Sequence, residues 1–167
     1  MVSRGYFIKG KGFIPMKKTA GFVIIAVLFC AFSTAMAAGL FGGYSGTKWG
    51  ADLHAVMKTY PKGEIATMGN QLLYKQTAPN KEMKQRTFAF RDNRLSAVSV
   101  TFNPKYVKKA GIENLLKKHK KAYGDGALDN SSAPHMVSYR WEDAGTSVTF
   151  AYAPKRADMT VLMYEKK

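Results

Sequence analysis

Two stretches of this chain alternate apolar and polar residues, and each is folded back on itself by turn chemistry. In the first, Phe88 and Phe90 lead through Arg91-Asp92-Asn93-Arg94 into Val98, Val100 and Phe102. In the second, Val137, Tyr139 and Trp141 lead through Glu142-Asp143-Ala144-Gly145 into Val148, Phe150 and Tyr152. A period of two puts every apolar side chain of a strand on one face, and Asp, Asn and Gly between such runs are hairpin residues. A chain written this way must build an antiparallel sheet and cover one side of it. With Leu73 upstream and Met159 to Tyr164 downstream, the pattern predicts about six strands. The first three fall near 70–77, 84–91 and 95–103, and Pro79-Asn80-Lys81 connects the first two.

The cover is written as helices. Leu53, Val56, Met57 and Tyr60 recur at helical spacing behind Asp52, a good N-cap, and Pro61 and Gly63 end that segment. After Asn103-Pro104, the residues Ile112, Leu115, Leu116, His119 and Tyr123 repeat on one helical face, and Gly124 sits where a left-handed C-terminal cap is expected. The expectation is an α+β fold: one domain over 48–167, an antiparallel sheet of about six strands, and two helices on one face. The halves 48–103 and 104–167 also look alike. Phe88-Ala-Phe-Arg-Asp92 resembles Tyr139-Arg-Trp-Glu-Asp143, and Val98 and Val100 then match Val148 and Phe150. A tandem αβββ repeat is one reading; chance likeness between two amphipathic hairpins is the other.

Ahead of the domain lies a segment of different character. Residues 1–37 carry five basic residues and no acid, then the apolar run Ala20 to Phe32, then Ala35-Met36-Ala37. This is the three-part secretory signal pattern, with cleavage expected after Ala37 and translation expected to begin at Met16. The alternative is an N-terminal anchor in the inner membrane, because apolar and small residues continue to Phe41. The single cysteine, Cys30, lies inside the apolar run behind the bulky Phe29, so no lipoprotein site is expected. Residues 38–47 are glycine-rich and read as a flexible leader. Cleavage leaves 130 residues without a thiol or a stable transmembrane span. Cysteine nucleophiles, thiolate metal sites and disulfides are then excluded, and the fold rests on apolar burial. An extracytoplasmic location, the bacterial periplasm, is expected.

Trp49-Gly50 before a short helix, Tyr60-Pro61, and Phe88-Ala-Phe-Arg-Asp-Asn-Arg-Leu-Ser-Ala-Val98 resemble small bacterial envelope proteins. The types concerned are the small lipoprotein of the outer-membrane barrel-assembly machine and the secreted beta-lactamase inhibitor protein, a tandem repeat of helix-plus-sheet units. The resemblance covers 48–103 and, more loosely, 107–165, and it departs from the lipoprotein in lacking a lipid-attachment cysteine. It implies an extracytoplasmic interaction module rather than a catalyst, and no functional residue is carried over from either type.

The residues themselves point the same way. His54, His119 and His135 lack metal-ligand spacing, and His119 reads as a packed, hydrogen-bonded core residue. Asp92, Glu142 and Asp143 sit in turns, where short acids bond the local backbone. The chain contains no nucleophile elbow, phosphate loop or dinucleotide fingerprint. No enzyme activity, metal or cofactor is expected. The strong signal is cationic: 26 Lys and Arg oppose 11 Asp and Glu, and without residues 1–37 the count is 21 against 11, a net charge of +10. Lys105, Lys108, Lys109, Lys117, Lys118, Lys120 and Lys121 crowd the region of the second helix, opposed within it only by Glu113. Docked through its apolar face, that helix would turn a positive stripe outward. The expected partner is an anionic envelope component: lipid head groups, lipopolysaccharide or an acidic protein. Lysine suits diffuse attraction better than bidentate recognition, and export argues against nucleic acid. A merely solubilising helix face is the plain alternative. The competing functional reading is a small-ligand carrier or enzyme with a pocket between helices and sheet lined by Trp49, Tyr60, Tyr74, Tyr139 and Trp141.

Overall fold

The computed structural model describes residues 42–167. The leader expected over 1–37, with its Met16 start and Ala37 cleavage site, and residues 38–41 lie outside the described residues. In chain order the elements are β1 (Gly43–Tyr44), β2 (Thr47–Lys48), α1 (Leu53–Thr59), β3 (Glu64–Met68), β4 (Gln71–Asn80), β5 (Met83–Arg91) and β6 (Arg94–Phe102). They continue with α2 (Pro104–Ala110), α3 (Ile112–Tyr123), β7 (Ala127–Asp129), β8 (Val137–Glu142), β9 (Thr146–Ala153) and β10 (Arg156–Lys166). β1 and β2 form a two-stranded ribbon, and the other strands form one sheet in the order β3-β4-β5-β6-β10-β9-β8-β7 with every pairing antiparallel.

The register shows how alternation becomes a core. Tyr74, Phe88, Val98, Tyr164, Val148 and Trp141 are successive cross-strand partners. The next such row is Gln76, Arg86, Val100, Leu162, Phe150 and Tyr139. These rows share one face of the sheet, and Val56 of α1, Val107 of α2 and Leu115 of α3 join their apolar members in one buried cluster. The opposite phase (Leu73, Ala89 and Ala97 in one row, Lys75, Thr87, Ser99 and Met163 in the next) forms the uncovered face. Local chemistry agrees: the Asp52 carboxylate accepts from the Ala55 N–H at 2.8 Å to cap α1. Asp92 and Asn93, with φ of 51° and 57°, make the two-residue turn between β5 and β6.

The α+β class and the antiparallel sheet stand, but the counts change. The sheet has eight strands rather than about six; β3 and β7 are the two additional ones. Both are outer strands, and neither has a buried residue. Without a covered face, no apolar alternation is required of them. The described residues contain three helices rather than two, because Gly111, at φ 80°, ends α2 by donating its N–H to the Val107 carbonyl at 2.9 Å before α3 begins.

From Gly42 onward, residues of the glycine-rich segment form the β1–β2 ribbon. Ser45 and Gly46 turn β1 back on β2 with positive φ, and the buried Tyr44 ring packs 5.0 Å from Tyr164 and 6.0 Å from Phe88. The Tyr60 hydroxyl donates toward the Tyr44 and Ser45 carbonyls at 3.2 and 2.8 Å, which ties the ribbon to the end of α1.

The chain runs twice through a helical segment and a four-strand meander, and the last strands of the two meanders, β6 and β10, pair at the sheet centre. By this order β5 holds the place that β9 holds in the other half. The likeness between 88–92 and 139–143 instead matches β5 with β8, one strand out of step. A period of two makes any two half-buried hairpins resemble each other regardless of their place in the sheet.

Gly63 illustrates how closely the α1–β3 connection is fitted. A Cβ there would run into the Tyr74 ring and lie 2.7 Å from the Lys75 carbonyl oxygen. The Tyr74 hydroxyl, in turn, accepts from the Gly63 N–H at 2.8 Å and donates to the Tyr60 carbonyl at 2.6 Å. Gly63→Ala is expected to lower unfolding stability by about 1–3 kcal/mol through overpacking. Tyr74→Phe, which leaves two main-chain groups unpartnered, should cost about 1–3 kcal/mol. Urea titration measures both.

Candidate functional site

The lysines singled out above fall on two helices, not on one continuous stripe. Lys105, Lys108 and Lys109 belong to α2, and Lys117, Lys118, Lys120 and Lys121 to α3. The sequence folds this way because Val107, Leu115 and His119 are buried on the core side, which leaves the long cationic side chains outward. α2 itself is capped by the Asn103 side chain, which accepts from the Lys105 N–H at 3.0 Å, and it lies against β10.

Glu82, at the β4–β5 turn, draws the two helices' charges toward one place. Lys118 of α3 reaches its carboxylate at 4.0 Å, and Tyr106 of α2 lines the same cavity. Burial, with the neighbouring Glu82 charge second, pushes the Tyr106 phenol above its ordinary value. Around this acid opens a surface cavity of about 490 Å³. Lys81, Lys105 and Lys109 border it, and Tyr106 and Ala110 supply an apolar wall. Lys120 is differently placed: its ammonium is 3.7 Å from Asp125 and 5.0 Å above the Tyr139 ring.

The remaining five, Lys105, Lys108, Lys109, Lys117 and Lys121, are exposed, and no carboxylate of the described residues lies within 4.0 Å of them. The segment 1–41 contains no Asp or Glu, so it supplies no counter-charge either. This arrangement can attract an anionic surface, since ammonium groups gathered without counter-charges sum their fields.

Beneath α3, His119 is packed among rings. It stacks on Tyr123 at 6.1 Å and lies 5.2 Å from Phe150, 6.4 Å from Phe102 and 6.5 Å from Trp141. Packing is as anticipated, but its Nε2 has no hydrogen-bond partner. Burial, with Lys118 a lesser cause, lowers its pKa from 6.5 to about 4, so at neutral pH it is an uncharged part of the core. His54 and His135 are exposed and belong to different elements of the chain. Among the described residues no three His, Cys, Asp or Glu side chains gather as metal ligands.

The acids read as turn residues do turn work. Asp143 accepts from the Gly145 and Thr146 N–H groups, both at 2.8 Å, and Glu142 lies between Arg140 and Lys167. Tyr60, Tyr74 and Trp141 are buried in the core, and Trp49 and Tyr139 pack against it. Of these five aromatics, Tyr60 borders a surface cavity, beside Pro61 and Arg86.

Arg86 was not among the anticipated residues, although it carried a signal. It occupies the core phase of β5, two residues before Phe88, where a charge is out of keeping with the alternation. No helix among the described residues is long and apolar enough to cross a membrane. No protein-family model, curated protein or solved structure matches the chain.

Proposed function

We propose that this protein is an exported, non-catalytic envelope module that binds an anionic lipid surface through the lysines of α2 and α3. The observation that carries the proposal is the set of five exposed lysines without an acid in reach, on two helices anchored to one core. The secretory pattern of residues 1–37 supports a site of action outside the cytoplasm, in the bacterial periplasm. The resemblance to envelope interaction modules agrees with it. The cavity beside Tyr106 sets an apolar wall next to Lys105 and Lys109, with Glu82 also in its lining.

The test is co-sedimentation with phosphatidylglycerol vesicles, with phosphatidylcholine vesicles as control. Each lysine held against an anionic surface contributes about 1 kcal/mol. Replacing Lys105, Lys108, Lys109, Lys117 and Lys121 together by Gln should therefore weaken binding by at least about 100-fold. Binding by the unaltered protein should also fall steeply between about 20 and 150 mM salt, as screening shortens the reach of the charges. Equal binding to both vesicle types, or an unaffected variant, would reject the proposal.

A further inference from the structure

Beside the end of α1, the fold holds a cation that has no carboxylate in reach among the described residues. The Arg86 guanidinium, half-buried at the mouth of the core, lies 4.2 Å from the Tyr60 ring centroid and 5.5 Å from that of Phe88. Both Nε and Nη2 donate to one acceptor, Oε1 of Gln76, at 2.9 and 2.5 Å. Gln76 is itself buried, 5% exposed, and its Nε2 is tied to the Pro61 carbonyl at 2.6 Å. The guanidinium is thus held in plane and orientation by a fixed amide on its Nε–Nη2 edge, and its other neighbours, the Tyr44 hydroxyl among them, are uncharged. No carboxylate of the described residues lies within 4.0 Å of it, and residues 1–41 contain none.

Arg86 opens into a cavity of about 490 Å³ between the α1–β3 connection and the end of β4. Pro61, Pro79 and the Tyr60 ring give it apolar walls, and Lys62 stands at its rim. Two of its lining residues, Lys62 at φ 66° and Ala78 at φ 45°, hold a left-handed backbone conformation that side chains with a Cβ seldom adopt. Ala78 falls where the register of β4 against β5 shifts between Thr77 and Asn80. Such backbone outliers concentrate at binding sites, and a partly desolvated cation without an anionic partner is costly unless something supplies one.

We propose that this cavity is a binding site for a small organic carboxylate with an apolar body. The carboxylate accepts two parallel N–H bonds from the Nη1–Nη2 edge of Arg86 in place of the neutral Tyr44 hydroxyl, its apolar part lies against Pro61, Pro79 and Tyr60, and Lys62 closes the charge at the rim. A planar two-oxygen acceptor matches that edge of a guanidinium held flat on an aromatic ring. The site is separate from the lysine surface and does not depend on it.

The experiment is a nuclear magnetic resonance titration of the whole protein with sodium benzoate, with inorganic phosphate as a second probe. Benzoate should give saturable shifts at the Arg86 side-chain Nε–H and at the amides of Lys62, Thr77 and Ala78, and should leave the amides of α2 and α3 unmoved. Arg86→Lys, which keeps the charge but loses the fork, should weaken binding by about 10-fold, and Arg86→Met by about 100-fold. Gln76→Leu frees the fork from its positioning amide and should weaken binding while the chain stays folded, as its dispersed spectrum reports. Three results would each overturn the proposal: no saturable shift at Arg86, affinity unchanged in the folded Arg86→Lys variant, or tighter binding of phosphate than of benzoate.

Discussion

Phe88→Ala is expected to lower the unfolding free energy by about 3–5 kcal/mol, the largest effect of any single truncation considered for this domain. Phe88 is fully buried at the meeting of three tyrosines: its ring centroid lies 4.8 Å from Tyr60, 6.0 Å from Tyr74 and 6.0 Å from Tyr44. The β1–β2 ribbon, α1 and strand β4 therefore all lean on one side chain, and Arg86 lies over the same ring. A void there cannot be filled by small shifts, because the surrounding rings are held by the hydrogen bonds of Tyr60 and Tyr74 to the main chain. Against a total stability of about 5–15 kcal/mol for an ordinary domain, the loss is large. Urea titration should show the midpoint fall, and hydrogen exchange should show Tyr44 to Lys48 losing protection first. A loss below about 1 kcal/mol would mean that these rings repack freely.

The second large effect is acid sensitivity set by His119. Its pKa is about 4 in the folded protein and about 6.5 when unfolded. Between these values the unfolded chain takes up a proton that the folded one refuses, so stability is full above about pH 6.5 and declines as pH falls toward 4. A difference of this size corresponds to about 3 kcal/mol. The groups facing the imidazole are the rings of Phe102, Tyr123, Trp141 and Phe150 and, on its own helix, Lys118. None of them is an acid that would stabilise the protonated form. The carboxylates held below their ordinary values, Asp129 by the Ser131 backbone, Glu142 by Lys167 and Asp158 by Arg156, begin to lose their contributions near pH 4 and lose the rest at lower pH. Urea midpoints at pH 7 and pH 4 should therefore separate clearly in the unaltered protein and lie close together in His119→Leu. Equal acid loss in that variant would remove His119 as the cause.

The candidate site was partly legible before folding. The seven lysines of 105–121 stood out by charge density alone, and the apolar spacing of Ile112, Leu115 and Leu116 put most of them outward. What spacing did not convey is the interruption at Gly111 or the reach of Glu82 from a distant turn, which together decide which lysines are free. Arg86 shows the opposite case. Its phase in β5 marked it as an oddity, but only the pairing of β4 with β5 brings Gln76 beside it, and only the α1–β3 connection brings the Tyr60 ring beneath it.

By itself the sequence determined the elements that bury a face, because burial writes its period into the chain: two along β5, β6, β8 and β9, and close to four along α1 and α3. It also determined the strong positive charge and the absence of thiols from the domain. Only the tertiary structure decided the edge strands β3 and β7, which cover nothing and so carry no pattern. The same holds for the central β6–β10 pairing, since partners 60-odd residues apart are selected by the cost and gain of closing the whole sheet rather than by any local rule. Tyr44 makes the point most simply: in a glycine-rich stretch it looks like part of a tether, and it is the surrounding rings of Tyr60, Phe88 and Tyr164 that make it core.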